Sequence, residues 1–189
     1  METEAAGGHV VDSVRFGAPG IDLWLPADSP QAKPLSALIH TSHALLSSAD
    51  AEEFRILRQI PRYPHELGAE VFPPEAGLER RGMSFTKGCY IGQEILSRIK
   101  TTGKMPRALI AWEARSPEMT VAVGDSLFEA ADQKPVGSVT SVARHPLRGV
   151  LTGLAFVKQG VAAQDSVLLV GGDVPRIETS VTILSLVHS

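Results

Sequence analysis

The chain has one cysteine among its 189 residues, Cys89. A lone cysteine cannot form a disulfide within the chain, and it cannot build a metal site of the paired CxxC type. Disulfides are also rare where thiols are kept reduced. We therefore expect a cytoplasmic protein with no metal-ligating residues.

An excess of basic residues and long apolar segments are also lacking. The 18 Lys and Arg are outnumbered by 21 Asp and Glu, so the net charge is −3, which disfavours binding nucleic acid through phosphate neutralisation. No apolar run approaches the roughly 18 residues of a membrane helix, and residues 1–13 lack the features of a signal peptide. We expect a soluble protein whose partners are neither nucleic acid nor membrane.

Turn residues, in contrast, are plentiful, with 17 Gly and 13 Pro. On either side of a turn at 17–20, alternating apolar residues predict strands over 10–16 and 21–26. Because side chains alternate along a strand, Asp22 and Trp24 should project from the same face.

Apolar residues at helical spacing predict three helices in the first half of the chain. The first covers 34–47, and the second starts at Asp50, where Glu53 completes a pattern like a capping box. The third covers 92–100 and ends at Gly103, since glycine commonly terminates a helix.

Beyond Arg107 the pattern changes to about six short runs rich in Val, Leu, Ile and Thr, divided by turn signals. Such runs are typical of a small antiparallel barrel or sandwich. We predict an α+β protein with two parts, a mixed body over 1–104 and a β-barrel over 105–189.

The segment KGCYIGQE, residues 87–94, raises the question of what Cys89 does. The thiol would precede a helix N-terminus and follow Lys87 by two residues, and both the helix dipole and an ammonium favour the reactive thiolate. The alternative is a small buried side chain that fills a gap at a turn. Gln93 and Glu94 could likewise contact a ligand, or Glu94 could only complement the helix dipole.

Two further side chains could bind a small molecule. The carboxylate of Asp22 can accept two parallel hydrogen bonds from the donor edge that a pterin presents, with Trp24 as a flat apolar wall. Arg55 can bind a carboxylate through two hydrogen bonds. Alternatively, Asp22 and Trp24 belong to an ordinary exposed strand face, and Arg55 is solvated or pairs with a neighbour such as Glu52.

Residues 84–94, SFTKGCYIGQE, together with Arg98 closely resemble the signature of the YgfZ family of folate-binding, iron–sulfur-cluster-related proteins. The resemblance continues through PGIDLWLP at 19–26, FRILRQIPRYPHEL at 54–67, FPPEAGLE at 72–79 and PVGSVTSVARHP at 135–146. It therefore covers nearly the whole chain.

This resemblance implies a fold like that of the T-protein of the glycine cleavage system, with a folate-binding α+β body followed by a C-terminal β-barrel. It also implies tetrahydrofolate as the cofactor, and iron–sulfur client or assembly proteins as partners. Lys87 and Cys89 would be the functional pair. The predicted folate contacts are Asp22, Trp24, Arg55, Tyr90, Gln93, Glu94 and Arg98.

The chain departs from the family pattern in two respects. Family members usually carry the first half of the folate-binding body before the equivalent of Val10. In addition, Gln59 and Pro64 stand where the family commonly has glycine, so the loop must differ if those positions need a positive φ angle or close ligand approach.

The leading hypothesis is a tetrahydrofolate-binding accessory protein for assembly or repair of iron–sulfur clusters in client enzymes. Whether the chain is itself an enzyme stays open, because an aminomethyltransferase of the glycine cleavage type shares the implied fold. A third alternative is a truncated interaction module that has lost the folate site.

Overall fold

The computed structural model describes residues 3–5, 8–14, 16–30, 32–79, 82–161 and 163–187. These residues belong to two compact units, which divide between Phe54 and Arg55. The domain boundary predicted from the sequence, at residue 104, differs from this division. It stays a prediction about domain organisation. None of the helices within the described ranges is long and apolar enough to cross a bilayer.

The first unit contains an antiparallel sheet of three strands in the order β1-β2-β3. Its strands are β1 (Thr3–Ala5), β2 (Gly8–Ser13) and β3 (Gly20–Trp24). The two predicted strands therefore exist as β2 and β3. The first is shifted towards the N-terminus and ends at Ser13, because the chain turns where Gly17 N–H donates to the carbonyl of Val14 at 2.8 Å.

Two helices follow, α1 (Ala32–Ser42) and α2 (Ser48–Leu57), and the second crosses the division between the units. The predicted extension of α1 to residue 47 is wrong because Ser47 caps α2 instead. The Ser47 hydroxyl donates to Asp50 Oδ2 at 2.7 Å, and the Asp50 N–H donates to the Ser47 hydroxyl at 3.1 Å. This reciprocal arrangement satisfies the first free N–H groups of the helix, so the start predicted at Asp50 is two residues late.

The second unit is built on a closed barrel of six antiparallel strands in the order β4-β7-β6-β5-β8-β9, closed by pairing of β4 with β9. This confirms the barrel expected beyond Arg107. The strands are β4 (Arg107–Ala114), β5 (Ser126–Glu129), β6 (Pro135–Arg144), β7 (Leu151–Lys158), β8 (Val167–Gly171) and β9 (Pro175–Leu186).

Alternating residues of β4 supply two separate apolar clusters. Ile110 and Trp112 belong to the main cluster, together with residues from the other strands, whereas Leu109 and Ala111 contribute to a second. The second cluster includes Ala76, from the short 3-10 helix Pro73–Ala76. Strand β4 is therefore buried on both faces, which explains its nearly continuous apolar sequence.

An ion pair fixes the 3-10 helix to the barrel. The carboxylate of Glu75, which is 2% exposed, accepts a hydrogen bond from Arg107 Nε at 3.2 Å and another from the Phe72 N–H at 3.1 Å. The Arg107 guanidinium also lies over the ring of Phe156, 4.6 Å from its centroid. These contacts hold the segment before α3 (Gln93–Thr102) against the barrel.

Candidate functional site

Cys89 is exposed, which contradicts the interpretation of this residue as a buried filler. The predicted helix is α3, and its N-cap is Gly92, whose φ angle of 86° is left-handed. A turn in which the Gln93 N–H donates to the carbonyl of Tyr90 at 3.2 Å separates Cys89 from the helix. Because the helix dipole weakens beyond the terminal turn, it acts on this thiol less than the sequence suggested.

Besides the helix dipole, the sequence offered Lys87 as a positive group near the thiol, two residues before Cys89. Its ammonium lies 4.6 Å from the centroid of the Tyr90 ring, a cation–π distance. The Lys87 and Tyr90 side chains thus meet across the short segment that contains Cys89. This contact places the positive charge of Lys87 beside the ring of Tyr90, one residue after Cys89 in the sequence.

The remaining signature residues lie on the first turns of α3. Gln93 is the first helical residue and is half-buried. Glu94 and Arg98 form an ion pair at 3.6 Å, with side chains 89% and 76% exposed. An exposed pair of this kind contributes little to stability, so both groups remain accessible to a ligand.

Asp22 and Trp24 belong to β3 in the first unit, and the strand alternation puts them on one face, as predicted. In the register with β2, Asp22 lies opposite Val11 and Trp24 lies opposite His9. The Asp22 side chain is half-buried, whereas Trp24 is 59% exposed. A carboxylate that accepts hydrogen bonds, beside an exposed indole, suits a flat heterocycle with an N–H edge.

Arg55 is the predicted site residue with the most unexpected surroundings. It is 4% exposed, and its guanidinium pairs with Glu66, which is fully buried, at 3.1 Å. The same guanidinium donates to the hydroxyl of Ser141 at 2.7 Å and to the carbonyl of Ile60. These contacts support a structural role, and direct contact with folate stays a prediction.

Sequence reasoning missed Glu66 and Ser141. The Ser141 hydroxyl donates to one oxygen of Glu66, and the Arg62 N–H donates to the other at 3.1 Å. A buried carboxylate with donors on both oxygens links the segment after α2 to strand β6. The only available signal was that both residues fall in the family-like stretches 54–67 and 135–146.

Gln59, which stands where the family commonly has glycine, keeps a left-handed backbone with a φ angle of 57°. It follows α2, and its side-chain oxygen accepts a hydrogen bond from the Ser185 hydroxyl at 3.0 Å. A left-handed backbone carries some strain at a residue other than glycine. At the second departure, the peptide between Tyr63 and Pro64 is cis.

The structure thus brings Lys87, Cys89, Tyr90, Gln93, Glu94 and Arg98 together on one continuous segment of the second unit. Arg55 lies in the same unit, but in the buried network at the end of α2. Asp22 and Trp24 belong to the first unit. Within the part of the chain that the structure describes, no cluster of His, Cys, Asp and Glu could hold a metal ion.

The fold defines the class of protein. Over 96% of its length the chain matches the glycine cleavage system aminomethyltransferase T from Bartonella henselae, with a TM-score of 0.74 and 12% identity, and it covers 49% of that protein. At this identity the similarity concerns the fold alone. The chain therefore has a T-protein-like fold, as predicted.

Sequence similarity identifies the family, although no family model matches the chain. The chain is 30% identical over 167 residues to the tRNA-modifying protein YgfZ of Yersinia enterocolitica, covering 87% of this chain and 50% of that protein. It is also 30% identical over 154 residues to YgfZ of Vibrio vulnificus, covering 78% and 46%. The chain is a YgfZ-family, T-protein-like protein, and it spans about half the length of these curated relatives.

Proposed function

We propose that this chain is a tetrahydrofolate-binding accessory protein that supports assembly or repair of iron–sulfur clusters in client enzymes. The observation that carries the proposal is the exposed thiol of Cys89 within a segment where the ammonium of Lys87 lies over the ring of Tyr90. The iron–sulfur cluster belongs to the client enzyme and is not a resident cofactor of this chain. The name of the relatives suggests that such clients act in tRNA modification.

The folate part of the proposal rests on the sheet of the first unit. Asp22 accepts hydrogen bonds from the N–H edge of the pterin, and Trp24 covers one face of the ring. The family resemblance also suggests Tyr90, Gln93, Glu94 and Arg98 as folate-binding residues, and they are proposed on that ground alone. Arg55 is kept among the proposed contacts, although its buried ion pair favours a positioning role.

Anaerobic isothermal titration with tetrahydrofolate tests this part. We expect Asp22→Asn to weaken binding at least tenfold, because the amide replaces an acceptor by a donor at the pterin edge. Asp12→Asn is a matched control, since Asp12 lies on the same sheet opposite Ile21, on the other face. Equal affinity of the two variants, or no binding by the unsubstituted chain, would count against the proposal.

The thiol part is tested by alkylation, which reports on Cys89 alone because the chain has no other cysteine. With iodoacetamide at pH 7, we expect Lys87→Met to react several-fold more slowly than the unsubstituted chain, since it removes a positive charge two residues from the reacting sulfur. Lys134→Met, on the barrel, is the control. Equal rates for all three proteins would remove the basis for a reactive thiol.

The main alternative is an aminomethyltransferase, whose fold the chain shares. Folate-dependent one-carbon transfer from an aminomethyl donor separates the two functions. Our proposal expects folate binding without turnover. Measured turnover would make the chain an enzyme, and absence of folate binding would favour the interaction module.

A further inference from the structure

Helix α3 exposes its apolar residues. None of its side chains is buried, and Ile95 is 50% exposed, one helical turn before the half-buried Ile99. Ile91, just before the helix, is 103% exposed. Single exposed apolar residues are ordinary, but Ile95 and Ile99 form a row of two on α3, one turn apart. An amphipathic helix buries such a row against a neighbour.

A groove accompanies this row. It has a volume of about 430 Å³ and is lined by Glu94, Ile95, Arg98, Ile99, Thr102 and Lys104. Its lining combines the apolar side chains of Ile95 and Ile99 with the charged groups of Glu94, Arg98 and Lys104. A volume of this size accommodates side chains of a partner.

The charge of this region opposes that of the whole chain. Residues 84–105 contain one carboxylate, Glu94, and four cationic residues, namely Lys87, Arg98, Lys100 and Lys104, so they carry three net positive charges in a chain of net charge −3. Glu94 offsets Arg98 through their ion pair at 3.6 Å. Lys104 has no such partner among the ion pairs of the described residues, and it borders the groove.

We propose that α3 and residues 84–92 form a docking surface for a segment of a partner protein that combines an apolar face with acidic flanks. Apolar side chains of the partner cover Ile91, Ile95 and Ile99. Carboxylates of the partner approach Arg98 and Lys104. The proposal concerns this surface alone and does not depend on folate binding.

Other occupants fit this surface less well. A symmetric second copy would place the same patch against itself and bring like charges together. Single-stranded RNA binds by stacking on aromatic rings, but here the rings of Phe85 and Tyr90 each carry a lysine ammonium, at 3.9 and 4.6 Å. Helices that lie on membranes usually use Trp, Phe or Leu, whereas the row on α3 is made of isoleucine.

Two labelled synthetic peptides test the proposal by fluorescence polarisation, without folate. Both are amphipathic helices with leucines on one face, and they differ only in flanking glutamates or flanking lysines. We expect the glutamate peptide to bind at least tenfold more tightly, and its affinity to fall with added salt. Equal affinity of the two peptides would overturn the proposal.

Variants locate the binding. We expect Ile91→Ser with Ile95→Ser, and separately Lys104→Glu, to weaken the glutamate peptide at least fivefold. Val174→Ser replaces an apolar residue of similar exposure, 71%, outside α3 and should change nothing. Because these positions are exposed, circular dichroism should show unchanged folding.

Three outcomes would overturn the proposal in favour of another occupant. In the first, the substitutions in α3 leave binding of the glutamate peptide unchanged. In the second, the chain elutes as a dimer and the isoleucine variant elutes as a monomer. In the third, anionic vesicles or single-stranded RNA bind the chain and displace the peptide. If the glutamate peptide binds as expected but isothermal titration with tetrahydrofolate shows no heat, this proposal stands and only the folate site is contradicted.

Discussion

The buried ion pair between Arg55 and Glu66 should make a large contribution to the stability of the second unit. The two side chains are 5% and 0% exposed, and their charged atoms lie 3.1 Å apart. Removing one partner leaves the other charge buried without compensation, which typically costs about 3–5 kcal/mol. We therefore expect Glu66→Ala to lower the free energy of unfolding by about that amount, a large share of the usual total for a domain.

Two further variants separate charge from packing. Ser141→Ala removes a hydroxyl that both charged groups contact, and we expect a loss of about 1–3 kcal/mol. The double variant Arg55→Met with Glu66→Leu replaces the pair by apolar side chains of similar size. It should recover most of the stability lost by Glu66→Ala, because no buried charge remains.

Urea unfolding followed by tryptophan fluorescence provides the assay. Trp112 is fully buried in the barrel, so its emission reports on unfolding of this unit. Glu94→Ala breaks the exposed ion pair with Arg98 and should cost less than about 0.5 kcal/mol. A loss below about 1 kcal/mol for Glu66→Ala, or a double variant no more stable than Glu66→Ala, would refute this reasoning.

Three other experiments test the fold. Gly153→Ala should destabilise the barrel by about 1–3 kcal/mol, since a Cβ there would lie 1.9 Å from the Ser141 carbonyl oxygen and 2.6 Å from the Trp112 ring, whereas Gly68→Ala meets nothing within 4 Å and should be near neutral in the same urea assay. Gln59→Val should unfold at lower urea than Gln59→Gly, because a β-branched residue is poorly tolerated at a φ angle of 57°. Hydrogen bonds from Ser47 lower the pKa of Asp50 below its ordinary value of 3.8. The stabilisation of α2 by this carboxylate is therefore present above pH 3.8 and is lost as the pH falls through the lower pKa of the folded state. An acid titration followed by circular dichroism should show this loss, and Asp50→Asn should abolish it.

Local sequence patterns were sufficient for β3 and for the barrel, but they missed β1 and placed β2 too far towards the C-terminus. The alternation of Ile21 with Leu23 predicted β3 and hence the shared face of Asp22 and Trp24. The short apolar runs beyond Arg107 predicted a barrel because each carried its own turn signals. Strand periodicity depends on neighbouring residues only, so it can be read directly from the sequence.

Helix ends were less predictable because several residues compete for the same role. Ser47 and Asp50 are both good N-cap residues, and the apolar Leu45 and Leu46 extended the helical pattern of α1 past its end at Ser42. The observed hydrogen bonds between Ser47 and Asp50 decide the start of α2. Both leucines are exposed in the connection, at 55% and 63%.

The buried network could not be predicted because its members are far apart in sequence. Ser141 lies 75 residues after Glu66 and 86 after Arg55. Sequence reasoning considered a neighbour such as Glu52 as the partner of Arg55, since only nearby pairs can be inferred from helical spacing. The pairing with Glu66 depends on how the segment after α2 packs against β6, which is a property of the whole unit.

The residues with chemical interest lie outside the best-packed part of the molecule. The barrel buries Trp112, Leu127 and Ile183 completely. Cys89, in contrast, is exposed, and the helix that follows it, α3, has no buried side chain. Ordered but poorly buried segments open at lower free energy than cores, and binding residues commonly lie on such segments held by a rigid scaffold. Because the Arg55 and Glu66 network links the segment after α2 to strand β6, substitutions in the network should act on stability first. Substitutions at Lys87 or Ile95 should act on reactivity or binding without unfolding the barrel.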